Sequence, residues 1–91
     1  METTGKVNVV TSEVVGENSN GVWVRRGIAV QPTNSEKRLY FEFNGEDWSK
    51  RLGELKEGQM VTVRWDCESH EYGGKWYTRL HGYGLQVYQQ A

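Results

Sequence analysis

Aromatic and basic residues are concentrated late in the chain, on a segment with the alternation of a β-strand. They are Lys75, Trp76, Tyr77, Arg79, His81 and Tyr83. Aromatic rings stack on unpaired bases and cationic side chains pair with phosphates, so this combination is typical of a surface that binds single-stranded nucleic acid. Trp76 is ambiguous, because its parity with Thr78 and Leu80 indicates the core while its closeness to a turn favours exposure.

A second group of candidates has the outward parity of two earlier predicted strands. It consists of Trp23, Arg25, Arg38 and Tyr40. If the strand that carries Tyr40 lies beside the last strand, these four residues form one binding surface with Lys75, Tyr77, Arg79, His81 and Tyr83. The alternative is structural, because aromatic pairs and ion pairs with Glu42, Asp66 and Glu68 stabilise a sheet without any ligand. For Trp23 and Tyr40 both interpretations stay open.

Catalysis and metal binding find little support in the residue types. His70 and His81 are the only histidines, and neither accompanies a serine or cysteine in a nucleophile motif. The sequence contains no HxxxH or CxxC spacing, and Gly73 and Gly74 favour a tight hairpin turn over a phosphate-binding loop. We therefore expect a protein that is not an enzyme and that uses no metal and no cofactor.

The totals indicate one small domain with little overall charge. A chain of 91 residues supports one hydrophobic core, so a single domain is predicted over residues 1–91. The formal net charge of −1 gives no long-range attraction to a polyanion, so nucleic-acid binding would depend on a local patch. Low net charge together with exposed aromatic residues also predicts self-association, and we expect a dimer.

Cysteine content and hydropathy indicate the compartment. Cys67 is the single cysteine, which excludes an internal disulfide, and its strand parity predicts a buried thiol. The first twenty residues contain Glu2, Glu13 and Glu17 and no apolar run of signal-peptide length, and the sequence has no run of eighteen apolar residues. The sequence therefore predicts a cytoplasmic protein that does not insert into membranes.

Alternating apolar residues predict five β-strands. The segments are Gly5–Val15, a strand that starts at Val22, Lys37–Phe43, and two arms of a long hairpin between Gln59 and Tyr83. In the second strand, Gly27 can mark a bulge. The inward residues predict a core to which Trp65 also belongs: Val7, Val9, Ile28, Val30, Leu39, Phe41, Phe43, Val61, Val63 and Leu80.

One short helix is predicted between the third and fourth strands. Trp48, Leu52 and Leu55 recur there at helical spacing, with acidic residues before basic ones, an order that complements the helix dipole. Five strands with a helix in this position is the layout of the all-β OB-fold, a Greek-key barrel that binds oligonucleotides or oligosaccharides. A generic five-stranded sandwich is the alternative.

Three motifs carry a resemblance to a known family. They are KRLYFEFNGEDW, the LKEG turn and the hairpin ES-x-EY-x-G-x-WYT. Together with the opening METTGKV, they resemble the small bacterial OB-fold proteins of the domain of unknown function 3127 family over most of the chain. The resemblance implies a fold like that of single-stranded DNA-binding proteins more firmly than it implies an activity.

Two function classes follow. The first is a non-catalytic module that binds single-stranded nucleic acid, most of all ssDNA, weakly through the aromatic and basic surface. Two or three stacked bases at about 1–3 kcal/mol each supply an energy of the same order as an association cost of about 4–15 kcal/mol, so no better than micromolar affinity is expected. The second is a protein-interaction or oligomerisation module that uses the same surface. Steep loss of affinity with salt distinguishes the first from the second.

Overall fold

The computed structural model describes residues 1–88 of the chain, so the last three residues of the predicted 1–91 domain lie outside it. Within this range the chain forms six strands and one helix. They are β1 (Glu2–Val10), β2 (Val14–Asn18), β3 (Gly21–Pro32), β4 (Leu39–Asn44), α1 (Glu46–Gly53), β5 (Met60–Tyr72) and β6 (Lys75–Val87).

The strands close into a barrel. The sheet order is β1-β5-β6-β4-β3-β2, and β1 pairs with β3 as well as with β5, which closes the sheet on itself. Gly5 shows this double pairing, since it lies opposite Pro32 on one side and Val61 on the other. The pairing of β4 with β6 is parallel, and the other pairings of the described strands are antiparallel. This arrangement confirms the predicted OB-fold barrel.

The first predicted strand, from Gly5 to Val15, is interrupted, which gives six strands where five were predicted. β1 and β2 lie in succession along the same edge of β3. Between them, Thr11 binds Gly27: its N–H and its hydroxyl donate to the Gly27 carbonyl at 2.9 and 3.0 Å. In chain order the helix therefore lies between β4 and β5.

A bulge in β1 explains the one wrong residue in the predicted core. The pairing register with β3 shifts between Val7 and Val9, so Asn8 is the extra residue. The bulge suggested at Gly27 is not present, because the pairing of β3 with β4 runs through this residue without a shift. Because one extra residue reverses the parity of those that follow, Val10 packs against the core and Val9 is exposed.

The other predicted core residues lie in the core or pack against it. Fully buried side chains from four strands and the helix form the core: Val7, Ile28, Val30, Phe41, Phe43, Leu52, Val61 and Val63. Partly buried residues pack against it, among them Leu39, Leu80 and Trp65, whose ring centroid lies 5.5 Å from that of Phe41.

The helix α1 covers this core as its spacing predicted. Leu52 is buried, and the Trp48 ring centroid lies 4.8 Å from that of Phe43. The Ser49 hydroxyl donates to the Glu13 carboxylate, and Arg26 Nη1 donates to the Ser49 carbonyl at 3.2 Å, which ties the helix to β3. None of the helical structure in residues 1–88 is long and apolar enough to cross a membrane.

The β5–β6 hairpin is longer than the barrel is tall. It turns at Gly73 and Gly74, whose φ angles of 60° and 81° suit a two-residue hairpin turn. Residues 66–79, which we name the hairpin arm, are exposed on both faces. The predicted burial of Cys67 was therefore wrong, because its strand parity continues past the point where a core exists to receive it.

Candidate nucleic-acid interface

Three predicted binding residues lie on the same side of the barrel wall. On β3, Trp23 and Arg25 have the opposite parity to the buried Ile28 and so point outward. On β4, Tyr40 lies opposite Ala29, which shares the parity of Trp23. Alternation along two neighbouring strands therefore places the Trp23, Arg25 and Tyr40 side chains on one surface.

Both aromatic rings of this surface rest on glycines. A Cβ at Gly16 of β2 would overlap the Trp23 ring, and a Cβ at Gly27 would overlap the Tyr40 ring. Trp23 keeps 37% and Tyr40 keeps 44% of its surface exposed. Each ring is thus supported by backbone and open to solvent, which is the arrangement that a base can stack on.

Arg25 is held beside the Trp23 ring. Its guanidinium carbon lies 5.2 Å from the ring centroid, a cation–π distance. Its Nε lies 3.4 Å from a carboxylate oxygen of Glu42 and 3.4 Å from Asn44 Oδ1. Because a guanidinium has five N–H donors, these contacts leave Arg25 donors for a phosphate.

β6 extends the surface on the other side of β4. Parallel pairing sets His81 beside Glu42, and His81 Nδ1 lies 3.7 Å from Asp66 Oδ1 on β5. The surface formed by Trp23, Arg25, Tyr40, Glu42 and His81 is named the outer face. Its fixed charges, one arginine and one glutamate, cancel.

The other predicted binding residues lie at different distances from the outer face. Arg79 precedes the β4–β6 pairing by one residue, while Lys75 and Tyr77 stand farther out on the hairpin arm. Arg38 is exposed in the segment just before β4. The structure therefore brings Arg79 next to the outer face, leaves Arg38 just outside β4, and places Lys75 and Tyr77 along the hairpin arm toward its turn.

A family model matches nearly all of the described chain. Residues 2–86 match the family described as Domain of unknown function (DUF3127). The chain belongs to this family. Among curated proteins, none matches the chain in sequence.

Solved structures share the fold of this DUF3127 chain. The mitochondrial single-stranded DNA binding protein Rim1 from S. cerevisiae matches 100% of this chain with 96% of its own, at a TM-score of 0.67 and 16% identity. A small single-stranded DNA-binding protein from Streptomyces coelicolor matches 96% of this chain with 91% of its own, at a TM-score of 0.52 and 21% identity. Identities this low establish a common fold.

One residue of the predicted site belongs elsewhere in the DUF3127 chain. Arg64 of β5 pairs with Gly84, but Trp65 pairs with Gly82, so Tyr83 is the extra residue of a bulge in β6. Tyr83 lines a groove beside the helix together with Arg51. The even alternation assumed along β6 does not hold at this residue, because a bulge changes the direction of a side chain.

Two exposed aromatic residues lie outside the sequence-based site: Tyr72, which it did not consider, and Trp76, whose direction it left open. Trp76 is 68% exposed and Tyr72 is 80% exposed, both next to the Gly73–Gly74 turn. Trp76 shares a face with Leu80, but that face leaves the core before it reaches the turn. The sequence signal that predicts their exposure is closeness to the two turn glycines. At the end of a long hairpin this signal is a better guide than strand parity.

The hairpin arm carries more acidic than basic residues: Asp66, Glu68 and Glu71 against Lys75 and Arg79. Cross-strand pairing puts Glu68 opposite Arg79 and Asp66 opposite His81. His70 Nε2 lies 3.3 Å from a Glu68 carboxylate oxygen. Arg79 and His81 therefore each face an acidic residue, which reduces the positive potential available to a phosphate.

Proposed function

We propose that this protein is a non-catalytic binding module that holds single-stranded DNA weakly on its outer face. The main observation behind this proposal is that Trp23 and Tyr40 present exposed rings supported by Gly16 and Gly27. They lie on β3 and β4, which correspond to the second and third strands of a five-stranded OB-fold, the strands on which OB-folds bind oligonucleotides. The fold shared with proteins whose structures are described as single-stranded DNA-binding supports the same proposal.

In this proposal the aromatic residues stack on bases and the basic ones contact phosphates. Trp23, Tyr40 and Tyr77 supply rings, Arg25, Arg38, Lys75 and Arg79 supply cations, and His81 supplies an N–H donor. Tyr83 lies in the separate groove beside the helix and is not part of this surface. The balanced charge of the outer face and the excess of acidic residues on the arm limit the electrostatic part of the binding energy. Micromolar affinity is the expected result, with a salt slope of at most about 2.8 from four phosphate contacts at about 0.7 each.

Titration with oligo(dT) and oligo(U) tests the proposal, with tryptophan fluorescence as the readout. The fluorescence of Trp23 should change when a base stacks on its ring. Affinity should fall as the salt concentration rises from about 50 to 200 mM, because the release of counterions from the nucleic acid becomes less favourable. Double-stranded DNA of the same length is the control, since its bases are already stacked. An unchanged emission with both single strands at high micromolar concentration would contradict the proposal.

A protein-interaction module is the second candidate, and the hairpin arm favours it. The arm exposes Tyr72 and Trp76 and pairs opposite charges across its strands, a combination that suits a protein surface better than a polyanion. A second copy of the chain is the expected partner. The single domain and the cytoplasmic location stay predictions from the sequence.

A further inference from the structure

A groove of about 420 Å³ lies between α1 and the part of the β5–β6 hairpin that belongs to the barrel. Its lining includes Trp48, Arg51, Arg64 and Tyr83. Of these only Tyr83 was among the predicted binding residues. Two arginines and two aromatic rings are the same chemistry as the outer face, but with a higher density of cations.

Arg51 is fixed in this groove with donors to spare. Its guanidinium carbon lies 4.8 Å from the Trp48 ring centroid, and its Nη2 donates to the Leu85 carbonyl at 3.0 Å. Trp48 is itself held by the core through Phe43. The cation therefore has a defined position, and most of its five N–H groups stay available for an anion.

Arg64 reaches the groove across a glycine. A Cβ at Gly84 would lie 3.1 Å from both Cβ and Cδ of Arg64, so the missing side chain leaves room for the arginine stem. Arg64 Nε also lies 3.1 Å from a carboxylate oxygen of Glu2, and both side chains are mostly exposed. An exposed pair of this kind is weak, so a phosphate can share or replace the carboxylate.

The bulge in β6 turns Tyr83 toward the same groove. The ring is 51% exposed, so it has a free surface for stacking. Tyr83 follows His81 of the outer face by two residues, a distance of about 7 Å along a strand. A single strand that leaves the outer face at His81 would meet Tyr83 next.

We propose that this groove binds one further nucleotide of the single strand, with its phosphate on Arg51 and Arg64 and its base on Tyr83. The inference rests on the proposed function, because it needs a strand on the outer face. Arg51, Arg64 and Glu2 together give the groove a net positive charge, which the outer face lacks. The groove thus supplies an electrostatic contact that the aromatic platform does not.

The test compares a short oligo(dT) of about 4 nucleotides with one of about 12, lengths that lie within the range of OB-fold site sizes. The double variant Arg51→Gln with Arg64→Gln should weaken binding of the longer strand about tenfold and lower its salt slope by about 1.4, with little effect on the shorter strand. Tyr83→Ala should weaken the longer strand at least fivefold without changing the slope, since one stacked base contributes about 1–3 kcal/mol.

The matched control removes two other exposed cations, with Lys50→Gln and Lys56→Gln. It should change affinity for either strand less than twofold. If the arginine variant behaves like this lysine variant while the unchanged protein binds both strands, the groove proposal is overturned and the outer face stands. If the unchanged protein binds neither strand, both proposals are overturned. Equal urea midpoints for all variants exclude misfolding as the cause.

Discussion

Trp23 and Tyr40 are the residues on which the binding proposal depends most. Replacing both with alanine should abolish binding of single strands, because two lost stacks remove about 2–6 kcal/mol from an affinity that is only micromolar. Fluorescence anisotropy of labelled oligo(dT) measures the effect. Tyr72→Ala removes an aromatic ring from the arm and should retain binding. If the double variant bound oligo(dT) with full affinity, the nucleic acid would have to bind elsewhere on the molecule and the proposal would be contradicted.

The glycine under each ring gives a subtler test. Gly16→Ala keeps the Trp23 ring but forces it to move, because the new methyl group would occupy the space of the ring. We expect weaker binding of oligo(dT), by about 1 kcal/mol or more, with an unfolding midpoint close to that of the parent protein. Binding equal to that of the parent would mean that the ring position does not matter.

Phosphate contacts outside the outer face, on the segment before β4 and on the hairpin arm, should act differently from the rings. Arg38→Ala with Lys75→Ala should weaken binding to every base sequence equally and lower the salt slope by about 1.4, because each single-strand contact contributes about 0.7. Titrations at three salt concentrations give the slope. Selective loss of one base sequence, or an unchanged slope, contradicts the assignment.

At the scale of elements, β4 carries a large share of the core. Phe41→Ala removes a fully buried ring and should cost about 3–5 kcal/mol, while Leu39→Ala, at a partly buried position, should cost about 2 kcal/mol. Urea unfolding followed by circular dichroism measures both. For so small a domain these are large fractions of its stability. A negligible shift for Phe41→Ala would contradict its place in the core.

Alternation in the sequence predicted β4 and β5 well where one face meets the core. Leu39, Phe41 and Phe43 alternate without interruption, so their direction could be read directly. The bulge at Asn8 could not, because the pattern of valines around it fits either register. The predicted burial of Cys67 was wrong for another reason, since alternation carries no information about where a strand leaves the core.

The candidate site was predictable to the same extent and for the same reasons. Trp23 and Tyr40 follow from the parity of regular strands. Tyr83 was misplaced because the β6 bulge depends on pairing with β5, which is a tertiary feature. Arg51 and Arg64 lie on a helix and on a different strand, and only the closed barrel brings them to one groove.

At the scale of the whole molecule, we expect a dimer formed through the hairpin arm. A net charge of −1 provides little repulsion between copies, and the exposed Tyr72 and Trp76 rings provide apolar surface. Sedimentation should show dimers at high micromolar concentration, insensitive to salt. Replacing residues 69–78 with an Asn-Gly turn should give a folded monomer. Only monomer in the parent protein would remove this prediction.

The double pairing of β1 determines when the barrel can close. Thr4 bonds Thr62 through their hydroxyls, although the two residues are 58 positions apart in the chain. At a synthesis rate of about 5–20 residues per second, the β5 partner follows β1 from the ribosome by about 3–12 seconds. During that interval β1 can pair only with β3, so the nascent chain presents an open sheet. Unpaired edges of this kind are sites for chaperones and for aggregation during translation, and the last strands to emerge end that exposure.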